Sequence, residues 1–224
     1  MEVHCLEVRS HTIEFGLVYR PGAELVVIFH GYGQDIGDMQ EAAECFTKQG
    51  YSVLVPHLFF HGRSIPKKHL TLPLGTKEWA ETLFKLLDKF QYSKLLLFGF
   101  SMGARFVLSF YKHYPECVHR IYLLAPDGLK LNPWNILGTS TILGRQLFSY
   151  FMNKPQGLMR LSKLLSSMKL LNKSRRKFVD SYLTQEHERK LVLNTWLVFR
   201  KLNLKPDLLA QLSKQNGTEI QFYY

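Results

Sequence analysis

Residues 94–106 read KLLLFGFSMGARF, and this stretch decides the fold. Its apolar first half is typical of a strand buried on both faces, and Met102–His113 is predicted to be a helix that ends before Pro115. A strand that turns at once into a helix leaves no room for side chains two positions before and after Ser101. Gly99 and Gly103, which have no side chains, occupy these two positions. The stretch therefore predicts a tight turn that projects the Ser101 hydroxyl above a sheet.

Strands and helices alternate on both sides of this turn. Alternating apolar and polar residues predict an antiparallel strand pair at the start of the chain, and continuous apolar runs predict buried strands after it. The predicted strands are Val3–Val8, Thr12–Tyr19, Leu25–Phe29, Tyr51–Val55, Lys94–Phe100 and Arg120–Ala125, and the predicted helices between them are Asp38–Gln49 and Lys77–Phe90. We expect Asp38 to cap the first of these helices and Gly50 to end it. This order predicts an α/β fold with a mostly parallel sheet and helices on both faces.

Residues 132–203 carry no strand pattern and several helical ones, including Leu191–Leu202, before Thr218–Tyr224 again has the pattern of a strand. A helical insertion between two parallel strands leaves the sheet at the edge where such sheets bind ligands. We therefore predict a core formed by residues 1–131 and 204–224 and a helical lid formed by residues 132–203.

The net charge of +11 is concentrated in and near the predicted lid. Between Leu129 and Ser181 the only acidic residue is Asp180, and the basic residues are Lys130, Arg145, Lys154, Arg160, Lys163, Lys169, Lys173, Arg175, Arg176 and Lys177. A solvated helical face explains this distribution, and the alternatives are anionic substrates, nucleic acid or weak contact with a membrane surface through the basic lid. The basic residues have no recognisable nucleic-acid-binding motif, so we expect no nucleic-acid partner.

The composition is that of a globular protein, because 46% of the residues are hydrophobic and no run of about 18 apolar residues would span a membrane. Residues 1–20 lack the apolar core of a signal peptide, so the expected location is the cytoplasm. Three cysteines, Cys5, Cys45 and Cys117, are odd in number and lack metal-like spacing, which predicts reduced structural residues. We expect neither a metal nor a cofactor.

A second motif, H-G-Y-G at residues 30–33, directly follows the predicted strand Leu25–Phe29. With the turn around Ser101, it makes the protein resemble the α/β-hydrolase superfamily, particularly its lidded serine esterases and lipase-like members. The resemblance implies that Ser101 is the nucleophile of a serine hydrolase. It also implies that the backbone N–H groups of Tyr32 and Met102 form the oxyanion hole, which stabilises the negative charge created by nucleophilic attack.

Residues 57–64 resemble the family's D-x-R-G-H-G-x-S loop, which also borders the active site. The matching positions are His61, Gly62 and Ser64, and the departures are His57 and Phe60, which replace the usual Asp and Gly. These departures concern the detail of the loop rather than the fold. We interpret His30 and His61 as structural residues of their loops, with His61 bonding nearby backbone.

The family's catalytic triad also needs an acid and a histidine. The acid most often follows the strand after the lid and the histidine comes later still, which would place both beyond Tyr224 and predicts a sequence truncated at its C-terminus. Asp127, after the strand Arg120–Ala125, is an alternative candidate for the acid. The other interpretation is that Asp127 caps the turn into the lid. His57 and His61 lie near the correct edge of the sheet, but the sequence favours no histidine among these 224 residues as the base.

The predicted function is hydrolysis of a small-molecule carboxylic ester or related acyl bond through an acyl-serine intermediate. Acyl transfer and C–C bond hydrolysis would use the same serine, and the alternative from a different class is a non-catalytic, hydrolase-like binding protein that lacks a complete triad. Apolar lid residues at spacings of three and four suit a lipid-like acyl group or simple packing on the core: Leu158, Leu161, Leu164, Leu165, Met168, Leu170 and Leu171. Because the predicted sheet ends at Thr218–Tyr224, we expect the 224-residue protein to be poorly soluble and to lack esterase turnover.

Overall fold

A computed structural model describes residues 1–66, 72–129, 133–157, 159–160 and 184–224. Within these residues the chain forms one sheet of eight strands, in the spatial order β1-β2-β4-β3-β6-β7-β8, with the short β5 paired to β2. The strands are β1 (Glu2–Val8), β2 (His11–Val18), β3 (Leu25–Phe29), β4 (Ser52–Pro56), β5 (Ile65–Pro66), β6 (Leu95–Phe100), β7 (Val118–Leu124) and β8 (Glu219–Tyr223). The β2 strand is antiparallel to its neighbours β1, β4 and β5, and all other pairs are parallel.

Helices follow most of the strands. They are α1 (Gln40–Lys48), α2 (Thr76–Leu87), α3 (Gly103–Tyr111), α4 (Pro133–Ser140), α5 (Ile142–Asn153), α6 (Glu186–Phe199) and α7 (Pro206–Asn216), with 3₁₀ turns at Gly37–Met39 and Pro115–Cys117. None of the helices in the described ranges is long and apolar enough to cross a bilayer.

The central strand β3 is buried on both faces, as its continuous apolar sequence predicts. Val26 and Ile28 point to one face and pack in a cluster with Ala43 of α1. Phe29 points to the other face, where its ring lies 5.9 Å from Trp79 of α2 and 6.4 Å from Phe106 of α3, centroid to centroid. The α/β fold with a mostly parallel sheet and helices on both faces is thus confirmed.

The start of α1 differs from the prediction. The helix begins at Gln40, and Asp38 lies inside the preceding 3₁₀ turn instead of capping the helix. The cap lies one turn earlier: Asp35 Oδ1 accepts a hydrogen bond from Asp38 N at 3.1 Å, and Asp38 Oδ2 accepts one from Asp35 N at 2.9 Å. This reciprocal pair has the form of a capping box, with Asp35 in the capping position that we assigned to Asp38.

Two elements are absent from the predictions. Strand β5 has only two residues, too few to show any alternation, and it forms because Ile65 pairs with Thr12 of β2. Helix α7 carries standard boundary signals that we did not use: Pro206 at its first turn and Gly217 just after it, in the left-handed conformation with φ +66°.

The protein divides into two compact units. The first contains Met1–His69, Leu74–Leu131 and Lys201–Tyr224, and the second contains Leu70–Pro73 and Asn132–Arg200. The described elements of the second unit, α4, α5 and α6, are all helical. That residues 132–203 act as a lid stays a prediction, and the apolar lid residues from Leu158 to Leu171 lie outside the described residues.

Candidate active site

Ser101 occupies the junction between β6 and α3 in a strained backbone conformation. Its φ is +48°, in the left-handed region that residues with a Cβ rarely adopt, at a cost of about 1 kcal/mol. Two neighbours fix this conformation: Ser101 N donates to Leu124 O at 2.9 Å, and Ala104 N donates to Ser101 O at 3.1 Å. The side chain is half-buried. The junction therefore has the backbone geometry that the G-x-S-x-G motif predicts.

The two glycines of the motif are required by close contacts with backbone. A Cβ on Gly99 would lie 2.8 Å from Ala104 Cα, and a Cβ on Gly103 would lie 2.3 Å from Phe29 O and 2.7 Å from His30 O. Real Cβ atoms do not approach backbone so closely, so α3 packs on β6 and β3 only because both positions lack a side chain. The helix N-terminus is thereby held against the end of β3.

The H-G-Y-G loop at residues 30–33 lies directly beside this junction. A Cβ on Gly31 would lie 2.9 Å from Cδ1 of Phe100, the residue before Ser101. Tyr32 is half-buried, and Gly33 has φ +69°. Met102 directly precedes α3, so its amide belongs to the N-terminal N–H groups for which a helix offers no internal acceptor. The fold thus brings the segments that carry the two candidate oxyanion amides to the same strand edge as Ser101.

Three histidines join the 30–36 loop to the 57–64 loop. Each one accepts a backbone N–H through its Nε2 atom, and in each case the donor belongs to the other loop. The bonds run from Leu58 N to His30 at 3.0 Å, from Ile36 N to His57 at 3.1 Å and from Gly33 N to His61 at 3.1 Å. An Nε2 atom that accepts a hydrogen bond is unprotonated, so each neutral ring carries its proton on Nδ1.

The protonated Nδ1 atoms also have partners. His30 donates to Gly31 O at 2.8 Å, His61 donates to Phe59 O at 3.2 Å, and His57 donates to the carboxylate of Glu14 at 2.9 Å. His30 and His61 thus occupy the structural roles that the sequence suggested. His57, which departs from the family's aspartate, also serves to position the loop.

Glu14 on β2 lies at the base of this network, and the sequence analysis missed it. Its carboxylate accepts hydrogen bonds from His57, from Arg63 N at 2.7 Å and from Arg63 Nε at 2.7 Å. Burial alone would raise the pKa of this carboxyl, but the hydrogen bonds from Arg63 and His57 outweigh it and lower the pKa to about 2. Gly62 is needed here as well, because a Cβ at that position would lie 2.0 Å from His57 Nδ1.

His30 is fully buried, and its burial lowers the pKa of the imidazole from the ordinary 6.5 to about 3. The ring is therefore neutral at physiological pH, as its acceptor role toward Leu58 N requires. A neutral, fully bonded ring in this position serves to hold the loop.

Asp127, the candidate acid within the sequence, follows β7 beside Ser101. Its backbone N donates to Ser101 O at 3.0 Å, but its carboxylate is bound by Arg105, with Nε at 2.7 Å and Nη2 at 3.0 Å. The Asp127 Oδ1 atom also accepts from Gly128 N at 2.7 Å. The carboxylate thus holds Arg105, whose side chain is 8% exposed, and caps the turn after β7.

Two of the other histidines considered from the sequence, His113 and His119, lie away from this edge. His119 Nδ1 donates to Leu95 O, at the opposite end of β6 and about 20 Å along the strand from Ser101. His113 bonds Thr76 at the start of α2, and His187 lies exposed on α6 in the second unit. Among the described residues, the bonds of Ser101 all run through its backbone, and no histidine ring bonds its hydroxyl.

Comparison with known families agrees with the fold. Residues 24–157 match a protein family described as alpha/beta hydrolase fold. The chain belongs to that family.

Protein ABHD8 is a distant relative within the curated proteins. The human and mouse proteins are each 26% identical to this chain over 107 residues, which are 47% of this chain and 24% of the relative. The matched segment therefore spans about a quarter of the length of these relatives.

Solved structures with the same fold cover the sequence more fully. MGS-M2, an alpha/beta hydrolase enzyme from a Medee basin deep-sea metagenome library, is 13% identical with a TM-score of 0.63 over 98% of this chain and 88% of its own. The thioesterase domain from the curacin biosynthetic pathway is 18% identical with a TM-score of 0.59 over 100% and 92%. Epoxide hydrolase A from Mycobacterium thermoresistibile is 21% identical with a TM-score of 0.51 over 58% and 41%. At these identities the likeness concerns the fold.

Proposed function

We propose that this protein is a serine hydrolase that cleaves a carboxylic ester or related acyl bond, with Ser101 as its nucleophile. One observation carries the proposal: Ser101 is held at φ +48° between β6 and α3, with a glycine on each side that no larger residue can replace. Strained non-glycine residues persist only where the surrounding structure imposes them, and they concentrate at active sites. Membership of a hydrolase family supports the same interpretation.

The reaction begins when Ser101 Oγ attacks the carbonyl carbon of the substrate. The carbonyl oxygen becomes negatively charged, and the N–H groups of Tyr32 and Met102 are the proposed donors that stabilise it. One such donor is typically worth about 10²–10³ in rate. The acyl C–O bond of the ester breaks, the proton lost by Ser101 passes to the leaving alcohol, and an acyl group remains on Ser101. Water then attacks this acyl group, which releases the acid and returns a proton to Ser101. Transfer to another alcohol would use the same intermediate.

The loops around Ser101 are held together by several hydrogen bonds, and this supports the proposal. His30, His57 and His61 connect the 30–36 loop to the 57–64 loop, and Glu14 fixes the second loop through Arg63. An oxyanion hole works because its donors are already in place before charge develops, so a loop fixed at several points suits that role.

A specific observation favours a second candidate, a non-catalytic hydrolase-like binding protein. In the parts of the protein that the structure describes, both ring nitrogens of His30, His57 and His61 are engaged, and Asp127 is bound to Arg105. These residues therefore form no Ser–His–acid relay. The general base that accepts the Ser101 proton is not among them, and the two candidates differ in whether Ser101 is activated.

A fluorophosphonate distinguishes the candidates, because it reacts covalently with activated serines. We expect a phosphonyl adduct on the peptide that contains Ser101, found by mass spectrometry, and no adduct after Ser101→Ala. The hydrolase requires an activated serine and the binding protein lacks one, so an adduct at Ser101 separates the two candidates.

Ser109→Ala is the matched control, since Ser109 is a buried serine on α3, the helix that follows Ser101, and its hydroxyl has no hydrogen-bond partner among the described residues. This variant is expected to label like the wild type. A folded protein that gives no adduct at Ser101, or an equal yield at many serines, would support the binding protein instead.

A further inference from the structure

The outer face of α5 exposes a row of large apolar side chains. Leu143 is 75% exposed, Leu147 52% and Tyr150 55%, and the adjacent Ile142 is 70% exposed. Leu137 of α4, the preceding helix, is 60% exposed as well. Single exposed apolar residues are ordinary on protein surfaces, but a contiguous set of this kind marks an interaction site.

The spacing places this set on one stripe. Leu143, Leu147, Tyr150 and Lys154 follow each other at intervals of four, three and four residues, which at about 100° per residue keeps them within about 60° around the helix axis. We call these four residues the α5 stripe. Lys154, just past the helix, places its Nζ atom 5.7 Å from the centre of the Tyr150 ring.

The opposite side of α5 is used for packing within its unit. Phe148 stacks on Trp196 of α6 at 5.4 Å between ring centroids, and Met152 O accepts a hydrogen bond from Arg189 at 3.0 Å. Arg145 binds the carbonyl oxygens of Thr139 and Ser140 at the end of α4. The helix is therefore anchored by one face while the α5 stripe faces outward.

The sequence segment that contains the stripe carries charge of one sign. The sequence from Gly128 to Val179 contains no Asp or Glu and ten Lys or Arg residues. In the described part of this segment, Lys154 and Arg160 are exposed. An apolar helix face in a purely basic segment matches the chemistry of an anionic bilayer surface, where apolar side chains enter the acyl boundary and basic residues meet acidic head groups.

We propose that the α5 stripe docks this protein on membranes that contain anionic lipid, with α5 lying in the plane of the surface. The aromatic ring of Tyr150 and the ammonium of Lys154 then lie at the head-group level, where aromatic and long basic side chains are favoured. Docking does not depend on the proposed hydrolase activity, and Ser101→Ala is expected to bind membranes like the wild type.

Vesicle flotation tests the docking. Vesicles of phosphatidylcholine alone are compared with vesicles that also contain phosphatidylserine, at low and high salt. We expect the wild type to float with the phosphatidylserine vesicles, to bind phosphatidylcholine vesicles much more weakly, and to lose binding as salt screens the charge. The double variant Leu143→Gln/Leu147→Gln is expected to weaken partitioning about tenfold or more, and Lys154→Gln about fivefold.

The matched control is Val3→Gln/Ile65→Gln, which removes two apolar side chains that are 52% and 60% exposed outside α5. It is expected to bind vesicles like the wild type, and circular dichroism checks that both double variants are folded. Equal binding by the stripe variant and the control would overturn the proposal. Equal binding to both vesicle types would overturn it as well. A third contrary result is a wild type that self-associates in sedimentation, combined with a Leu143→Gln/Leu147→Gln variant that is monomeric but binds vesicles as strongly as the wild type.

Discussion

The ends of β6 and β7 lie side by side and have similar backbones but different side-chain surroundings. Ser101 after β6 has φ +48°, and Ala125 after β7 has φ +45°. Backbone hydrogen bonds join the two turns, from Ser101 N to Leu124 O and from Asp127 N to Ser101 O. Yet the Asp127 carboxylate is bound by Arg105, whereas the Ser101 hydroxyl bonds no other described side chain. Of the two neighbouring turns, one presents its functional group and the other uses it to hold the structure.

This difference shows what a motif does and does not contain. The side chains that permit the β6 turn lie within two positions of Ser101, at Gly99 and Gly103, so the motif contains them. The role of Asp127 depends on Arg105, which is 22 residues away in the sequence. A carboxylate at the correct strand end is thus insufficient evidence for a catalytic acid, because a cation from the next helix can bind it.

The largest expected effect comes from breaking the β6 turn. Gly103→Ala would place a Cβ 2.3 Å from Phe29 O, in contact with backbone that cannot move without separating α3 from β3. We expect the free energy of unfolding to fall by about 4 kcal/mol or more. Denaturant unfolding followed by circular dichroism measures this loss.

Gly75→Ala is the matched control for that experiment. Gly75 precedes α2 with φ −75°, and among the described residues the nearest atom to a Cβ there would be Glu78 Cβ at 3.8 Å. The control should cost only about 0.5 kcal/mol, the usual effect of alanine at a helix N-cap. Equal stability of the two variants would show that the glycines are not required by packing.

His30, at the end of a third strand, β3, adds a pH dependence of stability to the comparison. Because the pKa of His30 falls from 6.5 to about 3 on folding, the unfolded state takes up a proton first as the pH drops. The stabilisation is therefore complete above pH 6.5 and is lost as the pH falls toward 3, by on the order of 4 kcal/mol. Unfolding measured at a series of pH values tests this slope.

His30→Phe removes the titrating group and should flatten the slope between pH 6.5 and 3. At neutral pH it leaves Leu58 N without its acceptor, at a cost of roughly 2 kcal/mol. His187→Gln, an exposed change on α6, should keep the wild-type slope. An unchanged slope in His30→Phe would mean that His30 is not buried in its neutral form.

Glu14 predicts a second, more acidic window. Its pKa is lowered from 4.5 to about 2, so its stabilisation is present above pH 4.5 and is lost as the pH falls through about 2. The side chain is 9% exposed, and the expected loss is about 3 kcal/mol. Glu14→Gln should remove the dependence in this window while leaving the His30 window in place, and the same pH series of unfolding measurements checks it.

The smallest effect is expected at the β7 turn. Asp127→Asn removes the charge that faces Arg105, but the Asp127 side chain is 42% exposed, so solvent screens the pair and the loss of stability should be only about 1 kcal/mol. If the carboxylate is structural, the rate at which a fluorophosphonate labels Ser101 stays unchanged. A folded variant with strongly slowed labelling would restore Asp127 as the catalytic acid.

The strands, the β6 turn and the family could be predicted from the sequence because each depends on local pattern. Continuous apolar runs identify β3 and β6, and paired glycines identify the turn. The cluster beneath the loops could not be predicted, since Glu14 meets His57 and Arg63 across 43 and 49 residues. Glu14 and Thr12 lie on the same side of β2, so the sequence pattern indicated only a polar face of the strand and no specific role for Glu14.

The central claim is that the Ser101 hydroxyl stands beside two amides that stabilise an oxyanion. An aryl boronic acid tests it directly, because a reactive serine adds to boron and forms a tetrahedral anion that mimics the charged intermediate. We expect a tetrahedral signal in boron NMR that Ser101→Ala abolishes, together with shifts of the Tyr32 and Met102 amide resonances. A boron centre that stays trigonal in the folded wild-type protein, with both amide resonances unmoved, would contradict the claim.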